Sequence, residues 1–153
     1  MIKEKSYSSY ILPVRKQNGI MQVALLDYGG GNYGPIGGRL DEDEDFLTAL
    51  RRELIEELGE KSLTILDNII KISTPYSFRH TNIERAEKRG AFMEEHYFFI
   101  GYITKDIDLE FCENRPEKIS VVWLNINDLT NPDIIKFDDE REYFATYVIP
   151  EIK

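Results

Sequence analysis

At 153 residues the chain is long enough for one domain with a real core. Cys112 is the only cysteine, which excludes an internal disulfide and a cysteine metal cluster. A formal net charge of −9 weighs against a nucleic-acid polymer as partner, because a polyanion is repelled unless a local basic patch overrides the field. Tyr97 to Ile103, the longest apolar run, is interrupted by Gly101 and too short to span a bilayer, and Met1 to Ser9 lacks the apolar core of a signal peptide. The expectation is a cytoplasmic protein with no membrane partner.

Ser6 to Val14 and Ile20 to Tyr28 are rich in β-branched, aromatic and aliphatic residues, and Asn18-Gly19 between them predicts a hairpin. A glycine cluster follows, Gly29-Gly30-Gly31, then Gly34 and Gly37-Gly38. A helix is predicted from about Asp45 to Leu58, with Leu47, Leu50, Leu54 and Leu58 as its buried stripe and Gly59 as its terminator. Leu63 to Leu66, Ile69 to Thr74, Phe92 to Ile103 and Ile119 to Leu124 read as strands. Pro75 to Gly90 reads as a long charged loop of the kind that contacts ligands. Asp138 to Val148 closes the chain as a helix in which Tyr143 meets Tyr147 and Phe144 meets Val148. No linker or repeat divides these elements, so a single domain over 1–153 is expected, with a mixed sheet between helices.

The segment that carries chemistry runs Gly38-Arg39-Leu40-Asp41-Glu42-Asp43-Glu44 and continues to Arg52-Glu53-Leu54-Ile55-Glu56-Glu57-Leu58-Gly59. Glu53, Glu56 and Glu57 stand at i, i+3 and i+4, so three carboxylates project from one helical face and repel one another. Arg52 is placed to pair with Glu56 one turn on, and a hard divalent cation with oxygen ligands would offset the rest. Leu54 and Leu58 hold the other face in the core.

This segment resembles the Nudix box, with Gly38, Glu44, Arg52, Glu53, Leu54, Glu56, Glu57 and Gly59 all in register. Glu60 stands where that pattern has a hydrophobic residue. Upstream, Tyr33-Gly34-Pro35-Ile36-Gly37-Gly38 has Tyr for the usual Trp and its proline one place early. The resemblance implies an α/β/α sandwich, the hydrolysis of a nucleoside diphosphate linked to another moiety, and Mg2+ or Mn2+ as cofactor. It implies Glu53, Glu56 and Glu57 as metal ligands with the Gly37 carbonyl, and Arg52 as the group that orients a ligand carboxylate. The proton acceptor implied is Glu53 or a glutamate from a later segment, with Glu94, Glu95, Glu113 and Glu117 as candidates. Glu44 is expected to join the charge network or to position water.

For a small-molecule nucleotide substrate, Tyr33, Tyr76 and Arg79 are the candidate contacts, with Phe78 and Trp123 as further stacking surfaces. Trp123, flanked by apolar residues, is better read as packing, His80 as a solvated loop residue, and His96 as a hydrogen-bonded structural one. Pro75 and Tyr76 together leave the choice among nucleoside triphosphates, ADP-ribose-like compounds and dinucleotides open. Two rival functions on this fold are a non-catalytic nucleotide-binding regulator and an RNA 5′-end pyrophosphohydrolase, for which Arg85, Lys88 and Arg89 would supply positive charge. A third, diphosphate isomerisation, would need a cysteine elsewhere than Cys112. A homodimer is left open.

Overall fold

The computed structural model describes residues 2–153. Strand β1 (Lys3–Gln17) turns into β2 (Ile20–Gly29) through Asn18-Gly19, whose φ values of 51° and 78° are those of a tight hairpin turn. The two strands pair only near that turn, from Val14↔Val23 to Gln17↔Ile20. Beyond it they part, and the glycine-rich segment enters the gap. There β3 (Asn32–Gly34) pairs with β2, while β4 (Ile36–Arg39) pairs with β1 from Ser8↔Arg39 to Ile11↔Ile36. β8 (Ser120–Asn125) runs along β2 from Gln22 to Asp27 and so occupies its other edge.

On the far side of β1 lies β7 (Ala91–Tyr102), parallel to it over nearly its whole length. The outer edge of β7 takes two short antiparallel strands, β5 (Ile69–Lys71) and β6 (Tyr76–Arg79). The mixed sheet has eight strands. Helix α1 (Phe46–Leu58) covers one face, burying Leu50, Leu54 and Leu58 against Ile11, Leu26, Ile36 and Phe99. The other face packs Leu12, Val14, Phe98 and Ile100 against Tyr143, Phe144 and Val148. Those three residues belong to α3 (Asp138–Tyr143) and to the wider π-helical turn, Phe144–Val148, that continues it. The result is the expected α/β/α sandwich.

Asp45 caps α1, its Oδ1 accepting the Thr48 N–H at 2.7 Å. The predicted stripe needs one correction, because Leu47 is 51% exposed. Phe46 makes the sheet contact of the first turn instead, its ring 4.4 Å from that of Tyr97, and Ala49 is the buried residue of the next step. The predicted strand Leu63 to Leu66 is a 3-10 segment, Glu60–Asn68. Ser62 tightens the chain there, its hydroxyl donating to the Gly59 carbonyl at 2.6 Å.

The predicted loop from Pro75 to Gly90 is mostly regular. It holds β6 and a short helix, α2 (Ile83–Arg89), capped by Asn82 at its start and Gly90 at its end. Pairing with β7 makes β6 a strand, since Tyr76 and Phe78 turn to the core while Ser77 and Arg79 face out. One buried carboxylate ties these pieces together. Glu94 of β7, 1% exposed, accepts from His80 Nε2 at 2.6 Å and from Arg89 Nη2 at 2.9 Å, and lies 3.4 Å from His96 Nε2. Burial alone would raise its pKa, but hydrogen bonds from His96, Arg89 and His80 prevail and hold it well below the ordinary 4.5.

Two stability measurements follow. Leu54→Ala empties a fully buried site between α1 and the sheet, and should cost about 2–5 kcal/mol in denaturant unfolding. Glu94→Gln should cost about 1–3 kcal/mol at pH 7, because it replaces a buried carboxylate that accepts from His80 and Arg89 with an amide that satisfies them less well. A depressed folded pKa adds stability above the unfolded value of 4.5, and that stability is lost as pH falls through the folded value. The Glu94→Gln deficit should therefore shrink as pH drops below about 4.5, and a deficit that does not change with pH would contradict the network.

Candidate active site

The site forms where β4, α1 and the segment after β7 meet. Gly37 has a φ of 139°, and a Cβ there would collide with the Ser9 carbonyl oxygen and stand 2.8 Å from Tyr10 Cα. At Gly38 a Cβ would stand 2.5 Å from Glu53 Oε1. Only a backbone without side chains fits between β1 and the acidic face of α1.

Two glutamates of α1 reach that backbone. The Gly37 N–H donates to Glu57 Oε1 at 3.0 Å, and the Glu53 carboxylate lies against Gly38. Glu57 is 2% exposed. Burial first, then the charge of Glu53, push its pKa up to about 8, against the opposing hydrogen bond from Gly37. Burial also raises Glu53, opposed by Arg52. Glu56 stands at the outer edge of the same face and is exposed.

Arg52 organises the acids. Its Nε and Nη2 each donate to Glu44 at 2.9 Å, a bidentate pair, while Nη1 donates to Glu53 Oε1 at 3.0 Å. Nη2 also donates to the Arg39 carbonyl at 3.0 Å, joining helix to strand. The predicted Arg52–Glu56 pair is present at 3.5 Å, the longest of these contacts. Hydrogen bonds from Arg52 and from the Asp41 N–H pull Glu44 down to about 2.

A further carboxylate comes from outside the box. The Cys112 N–H donates to the Glu57 carbonyl at 2.8 Å and fastens its segment to the end of α1. This places Glu113 where its charge raises the pKa of both Glu53 and Glu57. Glu113 is paired with Arg115 at 2.9 Å. The other candidate acceptors are placed differently. Glu94 is locked in its buried network, Glu95 pairs with Lys5 at 2.6 Å, and Glu117 is exposed.

Among the described residues, no trio of His, Cys, Asp or Glu side chains closes to metal-ligating spacing. The donor set still fits a hard divalent cation. It is all oxygen, and it includes a buried carboxyl whose charge is supported by one N–H and, more weakly, by Arg115.

The predicted substrate contacts divide. Tyr76 and Arg79 line a cleft of about 550 Å³ bounded by β6, β7, α2 and the start of α3. Tyr33 does not line it; half-buried, it packs against the core beneath α3. Trp123 packs as expected, with the Arg15 guanidinium 3.9 Å above its ring. His96 is hydrogen-bonded to Glu94, as expected. The solvated reading of His80 fails, since its side chain is 7% exposed and pinned to Glu94. Asp139 and Glu140, which also line the cleft, were not singled out in the sequence. Acids at a helix start are read as capping, and only the fold reveals what that start faces.

A NUDIX domain family model matches residues 10–146. An RNA pyrophosphohydrolase from Pelagibacter ubique is 24% identical over 124 residues, covering 79% of this chain and 77% of that protein. Among solved structures, the Escherichia coli dihydroneopterin triphosphate pyrophosphohydrolase superposes with a TM-score of 0.68 at 16% identity, covering 98% of this chain and 99% of the other. A Caenorhabditis elegans Ap4A hydrolase superposes with a TM-score of 0.60 at 15% identity, covering 92% and 95%. With the family model spanning most of the chain and the box glutamates gathered on a glycine turn, this protein belongs to the NUDIX domain family.

Proposed function

We propose that the chain, acting as a single domain, is a metal-dependent hydrolase of a diphosphate linkage in a nucleoside diphosphate linked to another moiety. One observation carries the reading: Glu53 and Glu57 converge on the side-chain-free turn at Gly37-Gly38, where Glu57 is buried and its charge is poorly supported. Glu53, Glu56 and Glu57, with the Gly37 carbonyl, would hold Mg2+ or Mn2+. When bound, such an ion supplies charge neutralisation and Lewis acidity to the diphosphate.

The protein's own groups do the rest. Arg52 keeps Glu53 and Glu44 in fixed orientation, so that the acidic face keeps its shape as substrate arrives. Glu113, fastened beside the cluster by the Cys112 N–H, takes the proton of the attacking water, with Glu53 as the alternative acceptor. Tyr76 and Arg79 contact the rest of the substrate. A second reading has one observation in its favour. Arg79, Arg85 and Arg89 line the same cleft, so a 5′-triphosphate end of RNA, which carries the same linkage, is a substrate worth including.

The reading is tested by incubating the protein and magnesium with nucleoside triphosphates, ADP-ribose, NADH, dinucleoside polyphosphates and a 5′-triphosphorylated RNA oligonucleotide, then identifying products. Cleavage of a phosphoric anhydride is expected. Glu57→Gln should lower kcat/KM by more than about 100-fold. Since it also removes a poorly solvated charge, it should unfold at the same or a higher temperature than the wild type, so loss of activity with intact folding separates role from structure. Glu113→Gln should lower kcat by about 100-fold or more with little change in KM. An unchanged kcat would move the acceptor role to Glu53.

A further inference from the structure

The cleft beside the box has room for a nucleotide, and its lining is bipolar. Arg79 and Arg85 stand on β6 and α2, Asp139 and Glu140 on the first turn of α3, and Phe78 lies between on the sheet. Most of its polar groups already have partners. Glu94 is saturated by His80, Arg89 and His96, and Arg79 donates to Glu4 at 2.5 Å. Asp139 accepts the Glu140 N–H at 2.9 Å and bears on the Tyr76 hydroxyl.

Two charged groups are left over. Among the described residues, neither the Arg85 guanidinium nor the Glu140 carboxyl has a hydrogen-bond or ion-pair partner. Burial and the neighbouring Asp139 charge push Glu140 up to about 7, which marks a half-buried acceptor without a donor. Phe137, 65% exposed, stands at the rim beside it, an apolar ring with no core to fill.

The cleft and the acidic cluster are joined by consecutive residues of one strand. Gly38 touches Glu53 on the α1 side. Arg39, turned to the opposite face, lies 3.9 Å from Glu94 on the cleft floor. Glu94 and His96 of β7 pair with Ser6 and Ser8 of β1, and Ser8 pairs with Arg39, so the strands that carry the cleft floor and the box glycines are two spacings apart in the plane of the sheet, about 10 Å, with the cleft on one face and the acidic helix on the other.

We propose that this cleft binds the ring system of the substrate, and that Glu140 selects it by accepting two adjacent N–H donors. That edge is the 2-amino-oxopyrimidine shared by guanine and pterins, whose imino and amino groups present a parallel pair of donors to a carboxylate. Phe78 and Phe137 supply stacking surface, and Arg85 meets a phosphate. Adenine offers a donor beside an acceptor at the same place, and hypoxanthine lacks the amino group. The inference rests on the diphosphate-hydrolase reading for its phosphates, but base selection is read by binding, without turnover.

Titration calorimetry of GDP, IDP and ADP on wild type, Glu140→Gln and Arg85→Ala tests it. Wild type should bind GDP about 10-fold or more tighter than IDP or ADP, the effect of leaving a buried acceptor unpaired. Glu140→Gln should bring GDP down to the IDP level while leaving ADP little changed. Arg85→Ala should weaken all three by a similar factor and keep their order. Neopterin triphosphate run beside GTP shows which ring system is preferred, and preference for either supports the assignment. Equal affinities in wild type, or a GDP preference that survives Glu140→Gln, overturn it. Selective GDP binding without hydrolysis of any triphosphate would leave this inference standing and remove the catalytic one.

Discussion

A side chain at position 37 would run into the backbone of β1 and one at position 38 into the Glu53 carboxylate, and the chemistry of the molecule is arranged around that exclusion. Because β1 and β2 separate past their turn, β3 and β4 can lie between them as sheet rather than over them as loop. Because Gly37 and Gly38 occupy so little volume, the acidic face of α1 closes directly onto backbone. The Gly37 N–H then becomes the one donor that Glu57 finds there. Bulk at Gly37 would push β4 off β1, and bulk at Gly38 would displace the Glu53 carboxylate.

The electrostatics of the two halves of the site are opposite in design. At Glu94 a buried negative charge is over-satisfied by histidine and arginine partners, and its pKa falls. At Glu57 a buried negative charge is under-satisfied, and its pKa rises. The first arrangement stiffens the fold by binding α2 and β6 to β7. The second spends folding free energy on a group that gains only when a cation arrives, as expected where function is placed at the expense of local stability. Arg52 stands between the two regimes, neutralising Glu44 fully and Glu53 in part.

Much of this was legible in the sequence. The hairpin at Asn18-Gly19, the helix capped by Asp45 and the acids at i, i+3 and i+4 each rest on local rules that the structure obeys. Glu44 joins the charge network as one of its two expected roles, through Arg52, for which the sequence points to Glu56 instead. The misreadings share a cause. The stretch after Pro75 looked like a loop because its charges mask a two-residue alternation at Tyr76 and Phe78, although Asn82 and Gly90 were already the capping signals of α2. His80 looked solvated because its partner lies fourteen residues on in another strand. Glu140 gave no sign at all, since only the third dimension brings the start of α3 to the cleft formed by β6 and β7. Tyr33 was drawn in by its place beside the box, but packing toward the core keeps it from the cleft.

The single hydrogen bond from the Cys112 N–H to the Glu57 carbonyl divides the crossing between β7 and β8 into unequal parts. Ahead of that anchor, residues 104–111 form a leader without regular structure, held to the core by Leu109 with Ile107 and Phe111 beside it. One step past it comes Glu113, whose position is set by the anchor and not by the length of chain before it. A change of length ahead of residue 112 should therefore leave the acid that follows in place, whereas a single residue gained between 112 and 113 should swing it away from the helix.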